Sequence, residues 1–312
     1  MRRAEISYRS GPRNGTVVPM IIITGATGTI GGEIVRLLSA RGERVRAITR
    51  RPDAARFPAG VEVVGGDYSD LPGMQRALAG AVAVFIVGVL GPEYAEADRA
   101  LVRAARDAGA RRIVKLSAIG TGDPALGRVG TWHLPGEEAV RAAGVDWTIL
   151  RPSSFASNTL SWAPALHSGL PVSNLTGSGA QGVVDPRDVS AVAAEALSSS
   201  AHSGRVYTLT GPELLTTHDQ AAALAAALGR PVEVVDIAEA AARDHMLAAG
   251  ATPEFVDGAL AGQAFARAGG NAVLTDDVAA VLGRDPRAYA DWVGDHVSAF
   301  DRPPVSSDWR AY

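Results

Sequence analysis

Three glycines at three-residue spacing form the clearest chemical motif of the chain. Gly25, Gly28 and Gly31 follow the apolar run Met20–Ile23 and lead into a segment with helical apolar periodicity. A strand, a glycine turn and a helix in this order bind a pyrophosphate, because the helix N-terminus offers free N–H groups and the glycines permit a close approach. We therefore predict a dinucleotide site, and a plain glycine turn is the alternative. The predicted cofactor contacts of this turn are Gly25, Thr27, Gly28, Thr29 and Ile30.

Basic residues follow the second predicted strand, Arg44–Thr49. An acidic residue at this place accepts a hydrogen bond from the ribose 2′-hydroxyl of NAD, whereas a guanidinium suits the 2′-phosphate of NADP. Arg50 and Arg51 therefore favour NADP(H), and a solvated basic turn is the alternative. After the third strand, Asp67 is expected either to accept a hydrogen bond from the adenine amino group or to cap a turn. The neighbouring Tyr68 is also a predicted cofactor contact.

Composition narrows the class of protein. The chain has 312 residues, of which 47% are apolar and 20% are charged, as in globular proteins with a sizeable core. A net charge of −3 gives no general attraction to nucleic acid or to an anionic membrane, and no apolar run reaches membrane-spanning length. The absence of cysteine excludes disulfides and thiolate metal sites and is consistent with the cytoplasm. The six histidines form no metal-ligating cluster, and a monomer and a homodimer both remain open.

Alternating strand and helix patterns must position these residues. The predicted strands of the first half are Met20–Ile23, Arg44–Thr49, Glu62–Gly65, Val82–Val87, Arg112–Ser117 and Asp146–Arg151. Repeated strand–helix–strand units imply an α/β fold, a Rossmann-type doubly wound parallel sheet with helices on both faces. Ligands bind such sheets beyond the carboxyl ends of the strands, so the functional residues should directly follow each strand.

The remaining sequence predicts a smaller and mainly helical C-terminal lobe. We expect a disordered extension over residues 1–19, an NADP-binding core over 20–152 and a substrate-binding lobe over 153–300. Some strands of this lobe, such as Val206–Thr210, are expected to return to the sheet, and residues 301–312 are expected to form a tail.

Several short motifs in order resemble one protein family. The motifs are Gly-Ala-Thr-Gly-Thr-Ile-Gly-Gly from Gly25, Thr49-Arg50-Arg51, Gly66-Asp67, Leu116-Ser117-Ala118, Leu150-Arg151-Pro152, Asp185-Pro186-Arg187-Asp188-Val189 and Tyr207-Thr208-Leu209-Thr210-Gly211-Pro212-Glu213. Together they resemble the NmrA-like atypical short-chain dehydrogenases/reductases, a group that includes NADPH quinone reductases and azoreductase-type proteins. The resemblance covers about residues 20–300.

The resemblance also points to candidate catalytic residues. Typical members of the superfamily use Tyr-x-x-x-Lys, but no tyrosine here has a lysine four residues later, and Lys115 is not placed for that role by its sequence position. His133 and Glu137 stand where the pair should fall, and on a helix they would share one face. The carboxylate would then orient and charge the imidazole as a proton donor. A histidine beside an ordinary acidic neighbour is the alternative.

Further site residues are implied by the family pattern. Ser117 ends the fifth strand, where the superfamily places a hydroxyl that bonds the substrate carbonyl, although it could simply cap the loop. Phe155 and Trp162 could form a flat apolar wall for a ring, and core packing is the alternative. Cofactor contacts are expected from residues that follow the fourth and sixth strands, namely Gly88, Val89, Pro152 and Ser153.

The resemblance implies an NADPH-dependent oxidoreductase that transfers hydride to a quinone, a ketone or a related conjugated carbonyl. The expected partner is therefore a small aromatic or conjugated carbonyl compound. Two alternatives remain at this point. The chain could be a non-catalytic NAD(P)-sensing regulator, as some NmrA-like proteins are, or a biosynthetic enzyme that uses the fold for a step without hydride transfer.

Overall fold

The computed structural model describes residues 19–88, 95–127 and 129–301 of the protein. The strands are β1 Met20–Ile23, β2 Arg44–Thr49, β3 Glu62–Gly65, β4 Ala81–Val87, β5 Arg112–Leu116, β6 Asp146–Pro152, β7 Val172–Asn174, β8 Arg205–Leu209 and β9 Val234–Asp236. The helices are α1 Thr29–Ala40, α2 Leu71–Ala77, α3 Ala95–Asp107, α4 Leu134–Arg141, α5 Ala163–His167, α6 Pro186–Ser198, α7 Thr217–Leu228, α8 Glu239–Ala248, α9 Pro253–Arg267, α10 Asp277–Leu282, α11 Tyr289–His296 and α12 Ser298–Asp301.

A seven-stranded parallel sheet, in the order β3-β2-β1-β4-β5-β6-β8, forms the centre of the fold. Successive residues of a strand point to opposite faces, and both faces of this sheet are covered by helices. In β1, Ile21 and Ile23 pack into the apolar cluster under α1 and α6, while Ile22 packs into the cluster under α2, α3 and α4. The predicted Rossmann-type sheet is therefore confirmed.

The register of the sheet brings the carboxyl ends of the central strands to one edge. Ile23 of β1 pairs with Phe85 of β4, and Leu116 of β5 pairs with Val87 of β4 and with Leu150 of β6. The segments that leave these strands therefore start side by side, which is the arrangement that the sequence analysis assumed for its candidate residues.

The C-terminal part of the chain divides its strands between two sheets. β8 returns to the large sheet beside β6, as expected, but β7 and β9 pair in parallel as a separate two-stranded sheet. These two strands and the helices α5, α7, α11 and α12 surround an apolar cluster of their own, which includes Val172, Leu166, Leu224, Trp292 and Phe300. Helix α9 packs against Pro124–Leu126 and Val129–Thr131, two short turns between β5 and α4.

Two buried aspartates at the start of α6 hold the segment between α10 and α11. The carboxylate of Asp185 caps α6 by accepting from the backbone N–H of Arg187, and it also accepts from the side chain of Arg287 at 2.8 Å. Asp188, which is fully buried, accepts from Arg284 Nη2 at 2.6 Å and from the backbone N–H of Arg287 at 2.7 Å. These contacts fasten the last helices to the central domain.

Replacing Asp188 by alanine should destabilise the protein. The change leaves the backbone N–H of Arg287 and the guanidinium of Arg284 without their charged acceptor, which should lower the free energy of unfolding by about 3 kcal/mol. Urea denaturation measures the difference. The matched control is Asp285→Ala, which removes an exposed carboxylate from the same segment and should have little effect. Equal stability of the two variants would contradict the role given to Asp188.

Candidate active site at the carboxyl edge of the sheet

The glycine turn after β1 has the geometry of a phosphate cradle. Gly25 has a φ of +59°, a left-handed conformation that favours glycine. A Cβ on Gly31 would overlap the carbonyl oxygen of Gly25, so this glycine lets α1 pack tightly on the turn. Thr27, Gly28 and Thr29 are exposed, whereas the side chain of Ile30 is buried and anchors the helix.

The N-terminus of α1 is free to bind an anion. The helix begins after Gly28, and within the described part of the chain no side chain caps it and no acidic residue lies in its first turn. The first N–H groups of a helix have no partner inside the helix, and they carry the positive end of its dipole. A Cβ on Gly28 would meet only the carbonyl oxygen of Gly25, at 3.3 Å, so the space in front of this turn is open. These residues fit a dinucleotide pyrophosphate.

The residues after β2 and β3 stand near the predicted adenosine end. Arg50 and Arg51 are both exposed, and the backbone N–H of Arg51 donates to Thr49 Oγ1. Asp67 accepts from the backbone N–H and from the hydroxyl of Ser69, at 2.9 and 2.6 Å, and these bonds lower its pKa. Of the two roles expected for Asp67, the turn cap is the one that the structure contains.

The hydroxyl of Tyr68 bonds two residues at the ends of neighbouring strands. Its hydroxyl donates to Thr24 Oγ1 at 2.8 Å and lies 3.1 Å from the carbonyl oxygen of Val87, while Thr24 itself bonds Phe85 on β4. Burial raises the pKa of Tyr68. The phenol therefore holds the ends of β1 and β4 together, and the contact of Tyr68 with a cofactor stays a prediction.

A buried lysine reaches the site from the middle of the sheet. Lys115 lies on β5 with no exposed surface, and its Nζ is 2.9 Å from Asp98 Oδ2 on α3 and donates to the carbonyl oxygen of Leu116. A Cβ on Gly88 would overlap Nζ of Lys115 and would lie 2.8 Å from Nδ1 of His133. The ammonium and the imidazole are therefore neighbours, although Lys115 and His133 lie far apart in the sequence.

The expected pairing of His133 with Glu137 is wrong. Glu137 is fully buried, and its carboxylate accepts from Ser117 Oγ at 2.6 Å, from Arg151 at 2.8 and 2.7 Å and from Arg141 at 2.9 Å. Burial opposes ionisation of Glu137, but the hydrogen bonds from Arg151, Ser117 and Arg141 outweigh it and lower the pKa. Its acceptor capacity is taken up by these three partners, which explains why it does not orient the imidazole.

His133 lies directly before α4 and is an uncharged residue at neutral pH. Its side chain is 8% exposed, and Nδ1 has no hydrogen-bond partner among the described residues. Burial, and next the ammonium of Lys115, lower the pKa of His133 to about 4 against the opposing charge of Glu137. The expectation of a charged imidazole is therefore corrected to a neutral one.

Ser117 is also less available than expected. It is 4% exposed, and its hydroxyl donates a short, charge-assisted hydrogen bond to the Glu137 carboxylate. Thr121 Oγ1 lies 3.1 Å from the same oxygen. A donation from Ser117 to a substrate carbonyl would require the hydrogen bond to Glu137 to break. This role of Ser117 stays a prediction.

The segment after β6 contains one unsatisfied hydroxyl. Pro152 ends the strand, and Ser153 follows with its Oγ buried and without a partner among residues 19–88, 95–127 and 129–301. Phe155 packs against the apolar cluster under α1 and α6, whereas Trp162 packs against the C-terminal cluster. Core packing accounts for the buried part of each ring, and a shared wall for a substrate ring stays a prediction. Val89, another predicted contact, lies outside the described residues.

Comparison with known proteins identifies the class. Residues 25–200 match a family of NAD(P)H-binding proteins, and the chain belongs to this family. A reductase of (4-alkanoyl-5-oxo-2,5-dihydrofuran-3-yl)methyl phosphate from Streptomyces griseus is 40% identical to the chain over 90% of the chain and 99% of the relative. An NAD(P)H azoreductase from Xenophilus azovorans is 34% identical, with the same two shares covered.

A solved structure gives the same result for the fold. The NADPH-dependent quinone oxidoreductase from Escherichia coli in complex with NADPH has a TM-score of 0.77 and 27% identity, and the match covers 88% of this chain and 99% of that one. The predicted class, an NAD(P)H-dependent oxidoreductase of this family, is therefore confirmed.

The described residues contain neither a membrane-spanning helix nor a cluster of metal ligands. No helix within residues 19–88, 95–127 and 129–301 combines the length and the apolar character that a bilayer crossing requires. In the same part of the chain, no three His, Cys, Asp or Glu side chains lie close enough together to hold a metal ion.

Removing the two arginines after β2 should weaken NADPH binding selectively. The double variant Arg50→Ala, Arg51→Ala should lose about 1.5–3 kcal/mol of NADPH affinity for each charged hydrogen bond to the 2′-phosphate, with little change for NADH. Calorimetric titration with both nucleotides measures this. Arg36→Ala, which removes an exposed guanidinium from α1, is the control. Equal affinity of the unmodified protein for NADH and NADPH would contradict the assignment.

Proposed function

We propose that the protein uses NADPH to reduce an electron-poor conjugated acceptor, such as an alkene conjugated with a carbonyl group or a quinone. The relatives support this proposal by their names. One reduces a dihydrofuranone with an alkanoyl substituent, one is an azoreductase and one a quinone oxidoreductase. A dihydrofuranone of this kind, a quinone and an azo compound share a conjugated π system that accepts hydride readily.

The observation that carries the proposal is the absence of a free strong acid among the described residues at this edge. The Ser117 hydroxyl donates its hydrogen bond to Glu137, and the Tyr68 hydroxyl donates its hydrogen bond to Thr24. His133 is neutral at physiological pH, because its pKa is about 4. An isolated ketone needs an acid to take up hydride efficiently, whereas a conjugated acceptor spreads the negative charge over its own atoms. The site therefore suits an activated acceptor.

The chain's own residues would divide the work between binding and polarisation. Gly25, Gly28 and the first turn of α1 would hold the pyrophosphate, and Arg50 and Arg51 would hold the 2′-phosphate. When NADPH is bound, its nicotinamide supplies the hydride. His133 would donate a hydrogen bond from its ring N–H to the acceptor oxygen, where negative charge develops. Such a donor need not give up its proton to accelerate the reaction.

The proposal is tested by comparing activated and unactivated acceptors. The purified protein is mixed with NADPH and an acyl-substituted dihydrofuranone, benzoquinone, an azo dye or cyclohexanone, and the loss of NADPH absorbance is followed. We expect turnover with one or more conjugated acceptors and none with cyclohexanone. Tight NADPH binding without turnover of any acceptor would favour a sensor instead. Equal rates with cyclohexanone and benzoquinone would contradict the proposal that the site needs an activated acceptor because it holds no free strong acid.

Replacing His133 should lower the rate without weakening cofactor binding. Loss of one hydrogen-bond donor to the developing charge predicts a decrease in kcat of about 100-fold for His133→Ala. The affinity for NADPH should stay within a few-fold, because the phosphates bind to α1. The matched control is His202→Ala, since His202 bonds Tyr207 and precedes β8 at the opposite edge of the sheet. Unchanged kcat for His133→Ala would remove His133 from the mechanism.

A further inference from the structure

The lysine on β5 is an unusual choice for its position. Lys115 is the one lysine in the sequence, and it lies with no exposed surface in a strand that otherwise packs apolar residues such as Ile113 and Val114. A buried ion pair generally stabilises a fold no better than apolar residues of the same volume, because both charges lose their hydration. We therefore look for the role of the pair of Lys115 and Asp98 in the site and not in the stability of the fold.

Two glycines leave the space that the side chain of Lys115 occupies. A Cβ on Gly136 of α4 would lie 2.5 Å from Asp98 Oδ2 and 2.5 Å from Lys115 Cε. On the other side, a Cβ on Gly88 would overlap Nζ. Lys115 thus threads between β4 and α4, and its head group ends beside Nδ1 of His133 at the carboxyl edge of the sheet.

The donors of the ammonium are only partly used. One N–H of Lys115 bonds Asp98 and one bonds the carbonyl oxygen of Leu116, which leaves a third for the side of Gly88 and His133. Nδ1 of His133 is buried and has no partner in the described part of the chain. A positive charge beside Nδ1 favours the tautomer with a lone pair on that nitrogen and disfavours a proton there.

We propose that Lys115 is a positioning residue for His133. Its ammonium faces Nδ1 of the imidazole and fixes the ring proton on Nε2, where it can be donated. The superfamily places such a lysine four residues after its tyrosine on a helix, whereas here a strand supplies the cation. The consequence for turnover rests on the proposed function, but the effect on the imidazole does not.

Other charges near His133 do not cancel this effect. Glu137 on α4 favours protonation of the imidazole, but it is already bonded to Arg151 of β6 and Arg141 of α4. Asp98 on α3 is paired with Lys115 itself. The residue that approaches the imidazole from the end of β4 is Gly88, which carries no charge.

The test is nuclear magnetic resonance of the imidazole nitrogens in the full chain labelled with ¹⁵N-histidine, without nucleotide. His133→Gln identifies the resonance. In the unmodified protein we expect the proton on Nε2 and a titration midpoint near the pKa of about 4. A proton on Nδ1, or a midpoint near the ordinary value for histidine, would overturn the proposal without any further variant.

The variant Lys115→Met, Asp98→Leu removes both charges together, so that no unpaired buried ion remains. We expect its His133 midpoint to rise and its ring to populate both tautomers. Should this variant not fold, as judged by circular dichroism, the neutral pair Lys115→Gln, Asp98→Asn takes its place. The control Arg103→Ala removes an exposed cation from α3, leaves the pair of Lys115 and Asp98 intact and should keep the proton on Nε2. An unchanged midpoint and tautomer in a folded variant without the ammonium would contradict the proposal.

Kinetics complete the test. In the variant without the ammonium, kcat with the best conjugated acceptor should fall by about tenfold or more, because a histidine in the wrong tautomer cannot donate correctly. The dissociation constant of NADPH should not change. If no acceptor supports turnover in the unmodified protein, the proposed function fails, and the nuclear magnetic resonance experiment still decides the role of Lys115.

Discussion

A carboxylate without contact to water must find all its hydrogen bonds inside the protein, and this constraint organises the site. Glu137 of α4 meets it with Ser117 after β5, Arg151 of β6 and Arg141 one turn along its own helix. These bonds fasten the start of α4 to two neighbouring strands. His133, directly before that helix, is thereby held over the ends of β4 and β5. The position of the imidazole is thus a consequence of neutralising Glu137.

The same constraint explains the chemistry that the site favours. The Ser117 hydroxyl donates its one hydrogen bond to Glu137, and burial lowers the pKa of His133 so that its ring is neutral. What is left for a substrate is hydrogen bonding from fixed donors in a poorly hydrated place, which stabilises charge where it forms. Such a site contributes most when the acceptor tolerates negative charge by itself, and the names of the relatives describe acceptors of this kind.

The sheet and the glycine turn could be predicted because their signals are local. Apolar runs, glycine spacing and residues at strand ends are properties of short segments, and the structure bears them out from β1 to β6. The partners of Glu137 and Lys115 could not be predicted in this way. Helical spacing suggested His133 as the partner of Glu137, whereas the partner Arg151 lies on β6, which is a separate element from the helix that carries Glu137. The available signals were a charged residue inside each of two apolar strands, Lys115 and Arg151.

The glycines around the ammonium also limit how the sequence can change over evolution. Gly88 and Gly136 are not selected for an unusual backbone, since neither has a positive φ, but for the volume that a methyl group would take. A descendant that exchanges Lys115 for a shorter side chain frees part of that volume, but alanine would still meet the imidazole of His133 at Gly88 and the carboxylate of Asp98 at Gly136. Conversely, alanine at Gly88 would push the cation away first. The two glycines should therefore be inherited as a set with Lys115, His133 and Asp98, the side chains that fill the space beside them.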